Sequence, residues 1–145
     1  MSKIETGRHV IIVDDDDEDV FAIRRAFSKY DDTIQLKHLS DGAKAVDHLL
    51  AIQEFRDLPD LILLDINMPR VNGFETLQAL RSSNLTRHLP IIILSTSDSV
   101  REIRQAYASG ANAHMVKPSS MSRLQEFVRA IALFWLDTAA LPNRG

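Results

Sequence analysis

A chain of 145 residues is long enough for one domain with its own hydrophobic core, and 45% hydrophobic against 26% charged residues is an ordinary globular balance. A net charge of −3 argues against a nucleic-acid-binding surface, and the lack of cysteine excludes a disulfide framework, a thiolate zinc site and a cysteine nucleophile. The N-terminal MSKIETGRH has no apolar signal-peptide core, and no apolar run approaches the ~20 residues needed to span a bilayer. We therefore expect a cytoplasmic protein with neither nucleic acid nor membrane as partner.

The first apolar run, HVIIV at 9–13, is nearly continuous, which fits a strand covered on both faces. Six acidic residues, Asp14 through Asp19, follow it directly, and then Val20, Ile23 and Phe27 share one face of a first helix. The second run, TIQLKHL at 33–39, alternates, with Ile34, Leu36 and the stem of His38 on one side; that predicts an edge strand with one polar face. Ala43, Val46, Leu49, Leu50 and Phe55 suggest a long second helix opening near Asp41-Gly42. DLILLD at 60–65 is the third strand, and Phe74, Leu77 and Leu80 mark a third helix after Asn72-Gly73. PIIILS at 90–95 is the fourth strand, and Val100, Ile103 and Tyr107 mark a helix capped by Gly110. AHMVK at 113–117 is the weakest strand. Met121, Leu124, Val128, Ile131 and Trp135 mark a last helix with Ser119 or Ser120 as its N-cap.

Strand and helix alternate five times, which predicts an α/β domain on a parallel sheet. Right-handed crossovers restrict the topology. With helices on both faces we expect the flavodoxin-like strand order 2-1-3-4-5, an order borrowed from that fold class rather than read from the residues. Ligands of such sheets bind beyond the carboxyl ends of the strands.

The residues at those ends carry the chemistry. Run one ends in Asp14 and Asp15, run three in Asp65, run four in Ser95, and run five in Lys117 before Pro118. Two carboxylates about 4 Å apart repel by ~4 kcal/mol at an effective dielectric near 20, so three together call for a cation. An all-oxygen donor set favours Mg²⁺, with Mn²⁺ and Ca²⁺ suited to the same donors. With the Lys117 ammonium alongside, the site suits a phosphoryl ligand, and a carboxylate there can form an acyl phosphate. Asp16 to Asp19 would instead cap and open the first helix, each acid gaining ~0.3–1 kcal/mol from the helix dipole. We read Asp16, Asp17 and Glu18 as a solvated acidic surface.

Four segments in this order, IIVDD, LLDINMPRVNGFE, IIILSTS and HMVKP, resemble the CheY-like receiver domain of two-component response regulators over nearly the whole chain. The resemblance implies a single receiver domain over 1–145, with 137–145 a C-terminal tail. It implies that Asp65 is the phosphoacceptor, that Asp15 binds Mg²⁺ directly with Asp14 as its partner, and that the Asn67 backbone carbonyl completes the metal site. It makes Lys117 the phosphoryl's partner and Ser95 the hydroxyl that moves to it. His114 stands where the family usually carries an aromatic switch residue, and the bond before Pro118 is expected cis. The acidic segment DDDDEDV, the long second helix and the tail FWLDTAALP resemble stand-alone regulators that partner phytochrome-type histidine kinases. The implied partner is thus a histidine kinase, and the implied activity is catalysis of the protein's own phosphorylation and dephosphorylation only.

Asp65 alone would pass for a turn residue and Lys117 for a solvated one; together with Asp14 and Asp15 they do not. His9, His38, His48 and His88 read as surface or edge residues, since no histidine has metal-ligand spacing. A Mg²⁺-dependent phosphatase of the haloacid-dehalogenase type also uses a strand-end aspartate, but it resembles DxD, whereas Asp65 is followed by Ile66 and Asn67. A phosphorylation-silent interaction module would not need Asp14, Asp15, Asp65 and Lys117 intact. On a helical wheel Leu133 and Leu136 fall outside the last helix's buried stripe and Phe134 lies at its margin. We expect these three to form a contact surface, with a homodimer joined through the fourth and fifth helices and the tail.

Overall fold

The structure is a computed structural model describing residues 7–68 and 72–144, so Pro69 to Val71 of the DINMPRVNG segment and Gly145 of the tail lie outside the described residues. Its strands are β1 (His9–Val13), β2 (Gln35–Leu39), β3 (Leu61–Asp65), β4 (Ile91–Ser95) and β5 (Ala113–Val116). Every pair is parallel and the order is β2-β1-β3-β4-β5, as expected. Between them run α1 (Asp17–Tyr30), α2 (Gly42–Leu50), α3 (Gly73–Arg81) and α4 (Val100–Ala108), and α5 (Met121–Ile131) follows β5.

The period of two along each strand sorts the core into two layers. Ile11, Val13, Ile62, Leu64, Ile91 and Ile93 face Ala45 and Leu49 of α2, Leu77 and Leu80 of α3, and Ala106 of α4. Val10, Ile12, Leu61, Leu63, Ile92 and Leu94 face Val20, Ile23 and Phe27 of α1 and Leu124, Val128 and Ile131 of α5. That is why the three central strands read as unbroken apolar runs. The helix starts follow side-chain caps: Asp16, Asp41, Asn72, Ser99 and Ser120 each accept a backbone amide of the first turn. Gly110, at φ +102, lies just past the α4 C-cap, as expected.

Three helical expectations need correction. The second helix is short: α2 ends at Leu50, its buried stripe is Gly42, Ala45 and Leu49, and Phe55 sits in a separate 3-10 turn at Phe55–Asp57. Leu50 and Phe55 are consequently exposed. In α4 the fully buried side chain is Ala106, while Val100 and Tyr107 face outward. Met121, placed on the buried stripe of α5, is likewise exposed.

Leu136 is a fourth correction. It is 9% exposed and packs in the core layer shared with α1 and α5, so it belongs to no contact surface, whereas Leu133 and Phe134 are 51% and 53% exposed. The reason is a π-helical turn, Ala132–Leu136, closed by Asp137 N donating to Ala132 O. A wide turn shifts the helical phase and carries Leu136 inward. The segment beyond it does not hang free. Asn143 is buried and donates from Nδ2 to Leu58 O and Asp60 Oδ1, while Arg144 reaches Asp60 and Gly7 O.

Candidate phosphoacceptor and metal site

Parallel pairing brings the carboxyl ends of the strands level: Val13 pairs with Leu64, Asp65 with Leu94 and Ser95 with Val116. Asp14 leaves β1 fully buried, tied by its amide to Leu39 O of β2 and by Oδ1, which accepts the Asp16 amide. Asp65 ends β3 almost buried, and its Oδ1 accepts the Asn67 amide at 3.0 Å. Asp15 is exposed. One carboxylate oxygen from each of Asp14, Asp15 and Asp65 lies within 4.8 Å of the others.

Gly73 matters to this placement. A Cβ there would come within 2.5 Å of Ile66 Cα and 2.6 Å of Asp65 O, so the start of α3 packs directly on the backbone that carries Asp65. Glycine is required by that close approach rather than by turn chemistry alone.

Lys117 follows β5 with its amide donating to Ser95 O, and its side chain crosses back toward β1. Nζ lies 2.9 Å from Asp19 Oδ2, 3.1 Å from Asp14 Oδ2 and 3.7 Å from Asp65 Oδ2. Burial would push this ammonium down, but its hydrogen bond to Asp19 and the charges of Asp14 and Asp65 prevail and hold its pKa well above the usual lysine value. Burial pushes the Asp14 carboxyl up from 3.8 to about 6; the Asp16 amide and Lys117 oppose this, and the Asp65 charge adds to it. A buried carboxylate so disfavoured as an anion gains from a divalent cation. The all-carboxylate donor set, with Asp15 open to solvent, fits a hard divalent cation.

A family model for the response regulator receiver domain matches residues 10–129. This chain belongs to that family. The receiver domain is 34% identical over 135 residues to the Probable methanogenesis regulatory protein FilR2 of Methanothrix harundinacea, covering 92% of this chain and 87% of FilR2. It resembles the crystal structure of the phosphorylated cyanobacterial phytochrome response regulator RcpA, with a TM-score of 0.85 and 31% identity, covering 94% of this chain and 99% of RcpA. The Mn²⁺-bound form of response regulator Rcp1, a Synechocystis sp. protein, gives a TM-score of 0.80 at 27% identity, covering 93% and 99%.

Of the residues singled out in the sequence, the receiver domain gathers Asp14, Asp15, Asp65 and Lys117 at one place, with Ser95 buried at the neighbouring strand end. Ser95 Oγ accepts the Ser97 amide at 3.0 Å and donates to Glu102 Oε1 at 3.4 Å. Asn67 is exposed beside Asp65. His114 lies on β5 opposite Ile93, and neither of its buried ring nitrogens has a hydrogen-bond partner among the described residues. The expected cis bond before Pro118 is not present: the described chain holds no cis peptide. Trans is the lower-energy isomer of an X–Pro bond by ~0.5–1 kcal/mol, and Lys117 reaches Asp14 from it.

Three residues at the site were not read from the sequence. Asp19 pairs with Lys117, and a signal for it existed, because Asp19, Ile23 and Ala26 follow helical spacing on the inward stripe of α1. His38 is no mere edge residue, since Nε2 lies 2.7 Å from Asp14 O. The alternation in β2 had already turned its stem inward. Glu102 was hidden by the apolar pattern of Val100, Ile103 and Tyr107 around it.

Proposed function

We propose that this protein is a response regulator that accepts a phosphoryl group on Asp65 from a histidine kinase in the cytoplasm, in a Mg²⁺-dependent reaction. The observation that carries the reading is the convergence of Asp14, Asp15 and Asp65 within 4.8 Å, with the Lys117 ammonium 3.7 Å from Asp65. Asp14, Asp15, Asp65 and the Asn67 carbonyl would hold the cation, which supplies charge neutralisation for the transferring phosphoryl oxygens.

The chain's own residues do the rest. The Asn67 amide fixes Asp65 through Oδ1 and leaves Oδ2, on the Lys117 side, as the attacking oxygen. A bond forms from that oxygen to phosphorus while the phosphorus–nitrogen bond of the kinase phosphohistidine breaks, and the ring, protonated beforehand on its other nitrogen, keeps that proton and leaves as neutral imidazole. Lys117 then pairs with a phosphoryl oxygen. Ser95 turns its hydroxyl from Glu102 to another, the loop after β4 repacks with His114 beneath it, and the outer face of α4 and α5 changes. Output is a protein contact on that face. We include in it a homodimer joined through α4, α5 and the exposed pair Leu133 and Phe134.

A phytochrome-type histidine kinase is the partner we favour, supported by the likeness to RcpA, a phytochrome response regulator. FilR2, named for methanogenesis, is related at a similar identity, so kinase choice rests on experiment. The test is incubation with Mg²⁺ and a small phosphodonor, read by intact mass, followed by transfer from candidate kinases. A phosphoryl adduct sensitive to hydroxylamine and absent from Asp65→Asn is expected; no adduct on the wild type overturns the reading.

A further inference from the structure

Lys117 is shared unevenly among the acids around it. Its nearest partner is Asp19 at 2.9 Å, and the acceptor Asp65 is the farthest of three at 3.7 Å. Asp19 does not cap α1; Asp16 does, accepting the amides of Glu18 and Asp19. An acid in the first turn of a helix is ordinarily explained by the helix dipole, and Asp17 and Glu18 need nothing more. Asp19 differs from them because its carboxylate is turned to a nearly buried ammonium, 10% exposed, on the far side of the sheet edge. The Lys117 ammonium is also the cation within 4 Å of Asp14, Asp19 and Asp65 among the described residues.

We propose that Asp19 is a positioning residue that restrains Lys117, holding its ammonium toward α1 and away from Asp65. This rests on the reading of Asp65 as the phosphoryl acceptor. A phosphoryl group on Asp65 needs the ammonium within about 2.7–2.9 Å of one of its oxygens, so Lys117 must leave or share Asp19 when the group arrives. Asp19 also adds a negative charge where a dianion is to bind. Both effects make the metal-loaded site bind phosphoryl-like anions less tightly than Asp14, Asp15, Asp65 and Lys117 alone would.

The test uses fluoroberyllate, a phosphoryl mimic that joins a carboxylate, titrated calorimetrically into the full chain in the presence of Mg²⁺. Asp19→Asn is expected to bind it roughly 3- to 10-fold more tightly than the wild type. Asp19→Glu, which keeps the charge, is expected to return toward wild type. Glu18→Gln, which removes an exposed charge from the same turn without touching Lys117, is expected to change nothing. Thermal melts confirm that each variant is folded. Equal or weaker binding by Asp19→Asn overturns the inference, and so does an equal gain in Glu18→Gln. Wild-type binding without a gain in Asp19→Asn sinks this inference alone, whereas no binding by any variant sinks the acceptor reading with it.

Discussion

Arg144 grips both carboxylate oxygens of Asp60: Nε lies 2.9 Å from Oδ1 and Nη2 2.7 Å from Oδ2. Asp60 is fully buried just before β3, at the end of the sheet opposite Asp65. Asn143 Nδ2 and the His9 amide bond the same carboxylate, so the last turn of the described chain is tied to β1 and β3. Arg8, reaching Asp31 and Asp137, and Tyr30, donating to Asp137, extend this network along the same edge.

Arg144→Ala should therefore destabilise the fold although it lies far from the acidic site. The remaining donors keep Asp60 partly satisfied, which puts the expected loss at about 1–3 kcal/mol rather than the larger cost of a stranded buried charge. Urea denaturation measures it. Asp60→Asn combined with Arg144→Ala should recover part of the loss, and Mg²⁺ affinity should be unchanged in the single variant.

Asp14 should make the stability of the metal-free protein depend on pH in the direction opposite to most carboxylates. Its carboxyl is raised from 3.8 to about 6 chiefly by burial, so the folded state holds a proton that the unfolded state has lost across that interval. Stability from this group is present below 3.8, declines as pH rises through 6, and above 6 the full penalty stands, roughly 3 kcal/mol. Asp14→Asn should match the wild type in acid and exceed it at neutral pH, by denaturation in a chelator. Adding Mg²⁺ should close the gap by stabilising the wild type, and wild-type affinity for Mg²⁺ should fall as pH drops below about 6.

Gly73→Ala tests whether the start of α3 holds Asp65 in place. The added Cβ meets backbone atoms at 2.5 and 2.6 Å, which cannot rotate away as a side chain would. A loss of about 1–3 kcal/mol is expected, together with weaker Mg²⁺ binding by calorimetry, because the backbone that yields is that of Asp65 and Ile66. Unchanged stability and metal affinity would show that the contact is not a constraint.

The π-helical turn separates a leucine from a phenylalanine of the same segment. Leu136→Ala, at a buried position, should cost about 2–4 kcal/mol in denaturation. Phe134→Ala, at an exposed one, should cost about 0.5 kcal/mol or less. If the proposed dimer forms, sedimentation should show it weakened by Phe134→Ala while the monomer stays folded.

Local pattern alone determined the parallel α/β architecture and most of the site. Val10 to Val13, Leu61 to Leu64 and Ile91 to Leu94 are apolar on both sides because helices cover both faces, and a parallel sheet necessarily delivers Asp14, Asp65 and Lys117 to one edge. Tertiary packing decided what spacing cannot express. Arg144 and Asp60 are 84 residues apart, and Lys117 and Asp19 are 98 apart, so their pairing depends on how layers close. The inward turn of Leu136 depends on a wide helical turn that no periodicity announces, and the exposure of Val100 and Tyr107 on which stripe of α4 meets the sheet. Strand chemistry is local because its period is short and its ends share a plane; helix phase and ion-pair choice are set by the neighbours each element finally meets.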